Sequence, residues 1–285
     1  MSALLVHLRL PFQLLLAPVF LWGWLVAGGG WRLQVGLAFV ACHVFLYGGA
    51  TAFNSYYDRD EGPVGGLERP PPVSPALLPF SLAVKAIGWL LAALVNLPFW
   101  LIYGAFAALS FAYSHPRLRL KAHPFGSLIT VGFGQGVLAY LGAWAAVRGE
   151  VGSVLGPTGL LGAVAATLLI LALYPLTQLY QVDEDARRGD RTIAVVWGPA
   201  RCFAFAVVCS VLGGLAMLGV LAQRFGRLDA LLVGLGLLGQ VAAVGWWARG
   251  YEPSRVLTNY RHVMRLNTLS AGALTAYLVA RLLYA

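Results

Sequence analysis

The chain has 285 residues, of which 59% are hydrophobic and 11% charged, and its net charge is +9. A soluble domain carries about a quarter charged residues, and a soluble helical protein needs polar faces that long stretches here lack. A water-soluble globule is therefore excluded and a lipid-embedded helical bundle is implied.

Apolar runs near the ~20 residues needed to cross a bilayer recur along the chain. They predict an all-α polytopic protein with nine spans, at roughly 10–28, 33–53, 77–95, 97–113, 125–147, 157–181, 200–223, 228–248 and 266–284. The third and fourth are divided only by Asn96, Leu97 and Pro98, where the missing proline N–H breaks the helical ladder. The first run continues into a span, so no cleavable leader is expected. No soluble domain or short repeat intervenes, and a single transmembrane domain over 1–285 is expected. Cys42, Cys202 and Cys209 lie in apolar segments without metal-ligand spacing and read as packing residues.

The charges are divided unevenly between the two faces. With nine spans, 14 of the 20 basic residues fall on the N-terminal side and 5 opposite, with Lys85 inside the third span. The positive-inside rule makes the first face cytoplasmic. Basic residues in short loops set membrane orientation and give no sign of nucleic-acid binding. Nine of the 11 acids share that face, only Glu150 and Asp229 lying opposite. The positive-inside rule does not account for this clustering.

Two spans end in the acids. The second runs into Asn54-Ser55-Tyr56-Tyr57-Asp58-Arg59-Asp60-Glu61. Asn54 and Asp58 are four apart and share a helical face, which extends backwards to Tyr47 and His43. The sixth runs into Gln181-Val182-Asp183-Glu184-Asp185, where Gln181 and Asp185 repeat the spacing and Tyr174 and Gln178 continue the stripe inward. Carboxylate and amide oxygens suit Mg²⁺, which shares its coordination with substrate phosphates. Arg69, Arg117, Arg119 and Lys121 are candidates to complete a diphosphate site. His43 and Lys85 are weaker candidates, as ionisable groups inside spans.

These motifs resemble those of the UbiA family of membrane prenyltransferases. That family has nine helices and two acidic motifs, after helices two and six. Its N-D-x-x-D-x-x-x-D and R-P-x-P-S stretches are similar to Asn54-Ser55-Tyr56-Tyr57-Asp58 and Arg69-Pro70-Pro71-Pro72-Val73-Ser74. Its D-x-x-x-D and G-x-x-T are similar to Gln181-x-x-x-Asp185 and Gly189-x-x-Thr192. Its Y-S-x-P-P-L-K-L-K loop is similar to Tyr113-Ser114-His115-Pro116-Arg117-Leu118-Arg119-Leu120-Lys121. Two family aspartates are replaced, by Gly62 and Gln181, and the Gly62-Pro63-Val64-Gly65-Gly66 stretch departs from the usual loop.

The resemblance implies a central cavity capped by cytoplasmic loops and Mg²⁺-dependent transfer of a prenyl group from an isoprenyl diphosphate. The acceptor is a lipophilic molecule in the bilayer: a quinone precursor, a chlorophyll-type alcohol, a carotenoid or a related lipid. Asn54, Asp58 and Asp185 are the first metal ligands expected, with Gln181, Asp60, Glu61 and Asp183 behind them. Asp58, Asp185, Arg117 and Lys121 are the expected catalytic set. Arg69, Arg119, Lys121, Tyr113, Tyr47, Tyr57, Tyr174, Gln178 and His43 are expected to contact substrate. Two alternatives stay open: a degenerate family member that binds lipid without turnover, and a transporter, although a transporter places its ionisable groups near the midplane.

Overall fold

The computed structural model describes residues 3–284. The protein is all-helical, and among the described residues the one β-type pairing is an isolated bridge between Val64 and Leu67. Its helices are α1 (Ala3–Val26), α2 (Leu33–Asp58), α3 (Leu77–Ala93), α4 (Leu97–Ser114) and α5 (Pro124–Arg148), followed by α6 (Pro157–Gln178), a short α7 (Val182–Arg187), α8 (Ile193–Arg224), α9 (Arg227–Arg249) and α10 (Val256–Leu283). Eight are long and apolar enough to cross a membrane, and α3 is a shorter apolar helix of 17 residues. A helix thus stands at each of the nine predicted positions, eight of them long and apolar enough to cross a membrane. The last begins at Val256 rather than 266, because its first turns carry Arg261, His262 and Arg265 and do not read as apolar.

Neighbours in sequence pack as neighbours in space: α2 on α3, α3 on α4, α6 on α8, α8 on α9 and α9 on α10. Helix α10 returns to α1, which also packs on α5 and α6. Several polar atoms inside the bundle find partners across helices, as lipid demands. Trp22 Nε1 donates to Gly162 O at 3.0 Å. Asn96 caps α4 by accepting from the Phe99 N–H at 2.9 Å and donates to Ala145 O on α5 at 2.8 Å.

Five helices are irregular. In α1 the backbone breaks at Arg9 (φ 50°) before the apolar run Ala17–Val26. In α2 the segment Ala41–Tyr47 is a π-helical turn, as is Gly132–Leu138 in α5. Pro175 converts the end of α6 to a 3₁₀ turn through Gln178. The sixth span is therefore not one α-helix to residue 181. Its acidic extension is a separate element, α7, reached through a tight turn. Helix α8 carries a kink at Gly198–Pro199, so its membrane-crossing part begins near the predicted position.

Candidate active site

The ends of α2 and α6, together with α7, meet over a cavity of about 300 Å³. Asn54 and Asp58 reach it from α2, Asp60 from the loop that follows, Gln181 and Asp185 from α7 and the turn before it, and Lys121 from the α4–α5 loop. Tyr47, Tyr113, Tyr174 and Gln178 line it deeper in. The two acidic helix ends, separated by more than a hundred residues in sequence, therefore form one site.

The acids are buried and mostly paired. Asp58 is 8% exposed; Lys121 Nζ is in direct contact with its Oδ2, and Arg119 Nη1 lies 3.5 Å from its Oδ1. That Oδ1 is buried with no hydrogen-bond donor. Arg119 makes a forked pair with Asp190, both bonds 2.8 Å. Arg188 bridges Asp60, at 2.9 Å, and Glu184. Asp185 differs from the others. It accepts only from Thr192 Oγ1, at 3.1 Å, and forms no ion pair among the described residues. Burial pushes its carboxyl up to about 7, against the pull of Lys121 and the Thr192 hydrogen bond. Burial also pushes Asp190 up, but the Arg119 hydrogen bonds and charge outweigh it and hold that carboxyl below its ordinary value.

The donor set fits a hard cation. Asn54 directs its Nδ2 to Ser114 Oγ (3.1 Å), leaving the amide oxygen as the atom able to ligate. Three buried aspartates, Asp58, Asp185 and Asp190, and the side chains of Asn54 and Gln181 then line one cavity. Among the described residues no three acidic, histidine or cysteine side chains converge on a point. This suits Mg²⁺, which takes one or two carboxylates and fills its shell with water and phosphate oxygens. Lys121 places its ammonium on Asp58 as a stand-in for such an ion.

Deeper, Tyr113 and Tyr174 join hydroxyl to hydroxyl at 3.1 Å, and Gln178 Nε2 donates to Tyr174 at 2.8 Å. The cavity shares Leu15, Leu169, Ile170, Leu173 and Ala271 with an apolar groove of about 360 Å³. That groove runs between α1, α6, α8, α9 and α10, past Trp22 and Met217 to Tyr277.

Several sequence candidates lie outside this cavity. Helix α2 stops at Asp58 because Arg59 turns left-handed (φ 50°), which sends Glu61 into solvent with only its N–H held, by Glu184 Oε1 at 3.0 Å. Asp183 is exposed on α7, two residues from the inward Asp185 and so on another face of that helix. Arg69 and Arg117 are exposed loop residues, and Tyr57 packs on Phe53, Tyr56 and His115. His43 stacks on Phe39 at 4.0 Å and meets the Tyr47 ring edge-on at 5.4 Å, behind the cavity wall that Tyr47 forms. Arg119 is engaged with Asp190 and Asp58 and is absent from the cavity lining. A Cβ on Gly62 would stand 3.0 Å from Glu184 Oε2, so a side chain at this position would meet the end of Glu184. The sequence reading missed Arg9, Asp190 and Arg188. Asp190 is two residues before Thr192 of the second motif, the one signal available.

The sequence profile of the UbiA prenyltransferase family matches residues 15–269. The chain belongs to this family. It is 33% identical over 152 residues to a protein of Archaeoglobus fulgidus named protoheme IX farnesyltransferase, covering 51% of this chain and 53% of that one. The matched region spans about half the length of the curated relatives. Among solved structures, an apo UbiA homologue from Aeropyrum pernix K1 superposes with a TM-score of 0.71 at 21% identity, covering 97% of this chain and 98% of that one. A UbiA homologue from A. fulgidus bound to GPP and Mg²⁺ gives 0.65 at 18% identity, covering 98% and 100%. At these identities both likenesses are of fold. This UbiA chain shares the overall bundle with them, while Gly62 and Gln181 mark its own version of the site.

Proposed function

We propose that this UbiA-family protein transfers a prenyl group from an isoprenyl diphosphate to a lipophilic acceptor inside the membrane. One observation carries the reading: a cavity holding buried acids and a lysine shares wall residues with a neighbouring apolar groove. A diphosphate belongs at the first and a polyisoprenoid chain in the second. The A. fulgidus homologue bound to GPP and Mg²⁺ supports the same donor chemistry.

Asp58 and Asp185, with Asn54 and Gln181 as neutral ligands, would hold Mg²⁺, which supplies positive charge to the leaving diphosphate. Lys121, the counter-ion of Asp58 without ligand, then has phosphate oxygens as its partner. The bond from the allylic carbon to the diphosphate oxygen breaks with its electron pair on the oxygen. The carbocation left behind meets the faces of Tyr47, Tyr113 and Tyr174. The hydrogen bonds from Gln178 to Tyr174 and between Tyr174 and Tyr113 hold two of those rings in place. Val64 and Gly65 of the loop after α2 line the cavity beside Asp60, and that loop would help keep water from quenching the cation. The acceptor attacks and loses a proton. The excess of basic residues on this side supports a site facing the cytoplasm.

The test is pyrophosphate release from the protein in nanodiscs, with geranyl, farnesyl and geranylgeranyl diphosphate, with and without Mg²⁺. Acceptors include protoheme IX, suggested by the curated relative, and a membrane-lipid extract. Mg²⁺-dependent release that is lost in Asp58→Ala is the expected result. Full release by Asp58→Ala, or tight metal-independent lipid binding with no release from any donor, overturns it; the latter outcome favours a lipid-binding protein.

A further inference from the structure

Lys85 is the middle residue of α3, an apolar helix of 17 residues, and is only 3% exposed. It forms no ion pair among the described residues. Its Nζ lies 2.9 Å from Ser110 Oγ on α4, 3.9 Å from the centre of the Phe111 ring and 4.4 Å from that of Phe53 on α2. The side chain therefore turns inward between α2 and α4 instead of snorkelling to an interface. The packing around it is fitted to a lysine. A Cβ on Gly49 would stand 2.6 Å from Lys85 Cγ, so glycine lets α2 close on the stem, and the Tyr103 hydroxyl fixes the backbone by donating to Lys85 O at 3.0 Å. An ionisable group at such a depth is costly to keep and points to a function.

Lys85 itself is absent from the cavity lining, but Ser110 is part of it. Ser110 stands one turn of α4 inward from Ser114, which holds Asn54. Its hydroxyl also donates to Ala107 O at 2.7 Å. A hydroxyl both gives and accepts a hydrogen bond, so Ser110 links the cavity to the amine behind its wall. The carboxylates Asp58, Asp60 and Asp190 are already paired with cations. The amine has no anion to satisfy. Its surroundings suit both of its forms: the neutral amine avoids an unpaired buried charge, and the ammonium meets two aromatic faces.

We infer that Lys85, acting through Ser110, takes up the proton that the acceptor loses. The inference rests on the transferase reading above. The nucleophilic atom of the acceptor bonds to the allylic carbon, and its bond to hydrogen breaks with the electron pair staying on the acceptor. That proton passes to Ser110 Oγ as the serine hydroxyl proton passes to the lone pair of the neutral Lys85 amine. The ammonium formed rests between Phe53 and Phe111. After the product leaves, the same two transfers in reverse return the proton to water in the cavity.

The test follows radiolabelled farnesyl diphosphate with Mg²⁺ and a pooled membrane-lipid extract, in nanodiscs of wild type, Lys85→Met, Lys85→Arg and Ser110→Ala. The readout is the ratio of prenylated lipid to farnesol, the alcohol formed when water captures the cation. Loss of a proton acceptor is expected to lower this ratio by about a hundredfold in Lys85→Met and in Ser110→Ala. Lys85→Arg keeps the charge and the donors but cannot give up its proton, so it is expected to fall as far as Lys85→Met. Ser110→Ala carries the test if the Lys85 variants do not fold. A ratio within twofold of wild type in Lys85→Met overturns the assignment, because the proton then leaves through another group such as the departing diphosphate. Recovery of the ratio in Lys85→Arg overturns it too, marking a role of charge or packing, as does a fall of both products together at an unchanged ratio. Wild-type protein that releases no pyrophosphate from any donor refutes the transferase reading itself, so the two failures are separable.

Discussion

Asp185 gives the site a pH dependence whose size follows from its surroundings. Its carboxyl titrates near 7 instead of 3.8 because it is buried and lacks a cation in contact. Without metal, the folded state holds this proton more tightly than the unfolded chain. The contribution to stability is therefore fully present below pH 3.8 and is lost as pH rises toward 7, on the order of 4 kcal/mol in all. Metal binding requires the ionised form. At pH 6 roughly a tenth of the carboxyls are ionised and at pH 8 roughly nine tenths, so Mg²⁺ affinity rises about tenfold between them. Mg²⁺ titrations of the complex with a non-reactive farnesyl thiodiphosphate, followed by tryptophan fluorescence, measure this directly. Asp185→Asn provides the reference, because the analogue's own titration is common to both proteins. An equal pH dependence in wild type and Asp185→Asn refutes the reasoning.

Lys121→Ala leaves Asp58 buried beside Arg119 alone and is expected to lower kcat/KM for the donor by about a hundredfold, with Lys121→Arg in between; steady-state pyrophosphate release checks it. Gly62→Asp restores the family aspartate but sets a carboxylate against Glu184 Oε2. An unfolding temperature lower by about 2–4 °C, with no gain in activity, is expected. A Cβ on Gly236 meets nothing within 4 Å, and this residue lines the apolar groove, so Gly236→Phe adds bulk at the groove wall. It is expected to shift donor preference from geranylgeranyl toward geranyl by about tenfold, because burying fewer isoprenyl carbons costs donor binding. An unchanged preference means that the chain lies elsewhere.

The spans were legible because lipid demands long apolar runs, and the acidic stripes because residues four apart share a helical face. What failed depends on local breaks and distant partners. Pro175 was visible, but its effect, a 3₁₀ turn that detaches α7, was not. The π-turn over Ala41–Tyr47 leaves no composition signal, and His43, though its ring touches Tyr47, stays out of the cavity lining. Arg9 and Asp190 have partners 46 and 71 residues away, which no periodicity reveals. Arg117 and Lys121, equivalent as loop cations in the sequence, end on opposite sides of solvent exposure because the loop turns at Arg119 (φ 40°).

The charge pairing sets the order in which ligands can enter. Asp58 already has Lys121 as counter-ion, whereas Asp185 has none. Mg²⁺ alone must displace a buried ammonium that then lacks an anion, an unfavourable state. A diphosphate supplies that anion, so metal and diphosphate should each tighten the other by one common factor, as linkage requires. Calorimetric titration of Mg²⁺ with and without pyrophosphate, and the reverse, measures the factor after correction for the Mg²⁺–pyrophosphate complex in solution. In Lys121→Met the ammonium is gone, Asp58 is open to metal from the start, and the coupling should shrink toward the part due to direct metal–phosphate contact. Coupling that is the same in Lys121→Met as in wild type means that Lys121 does not gate Asp58, and the stand-in role fails.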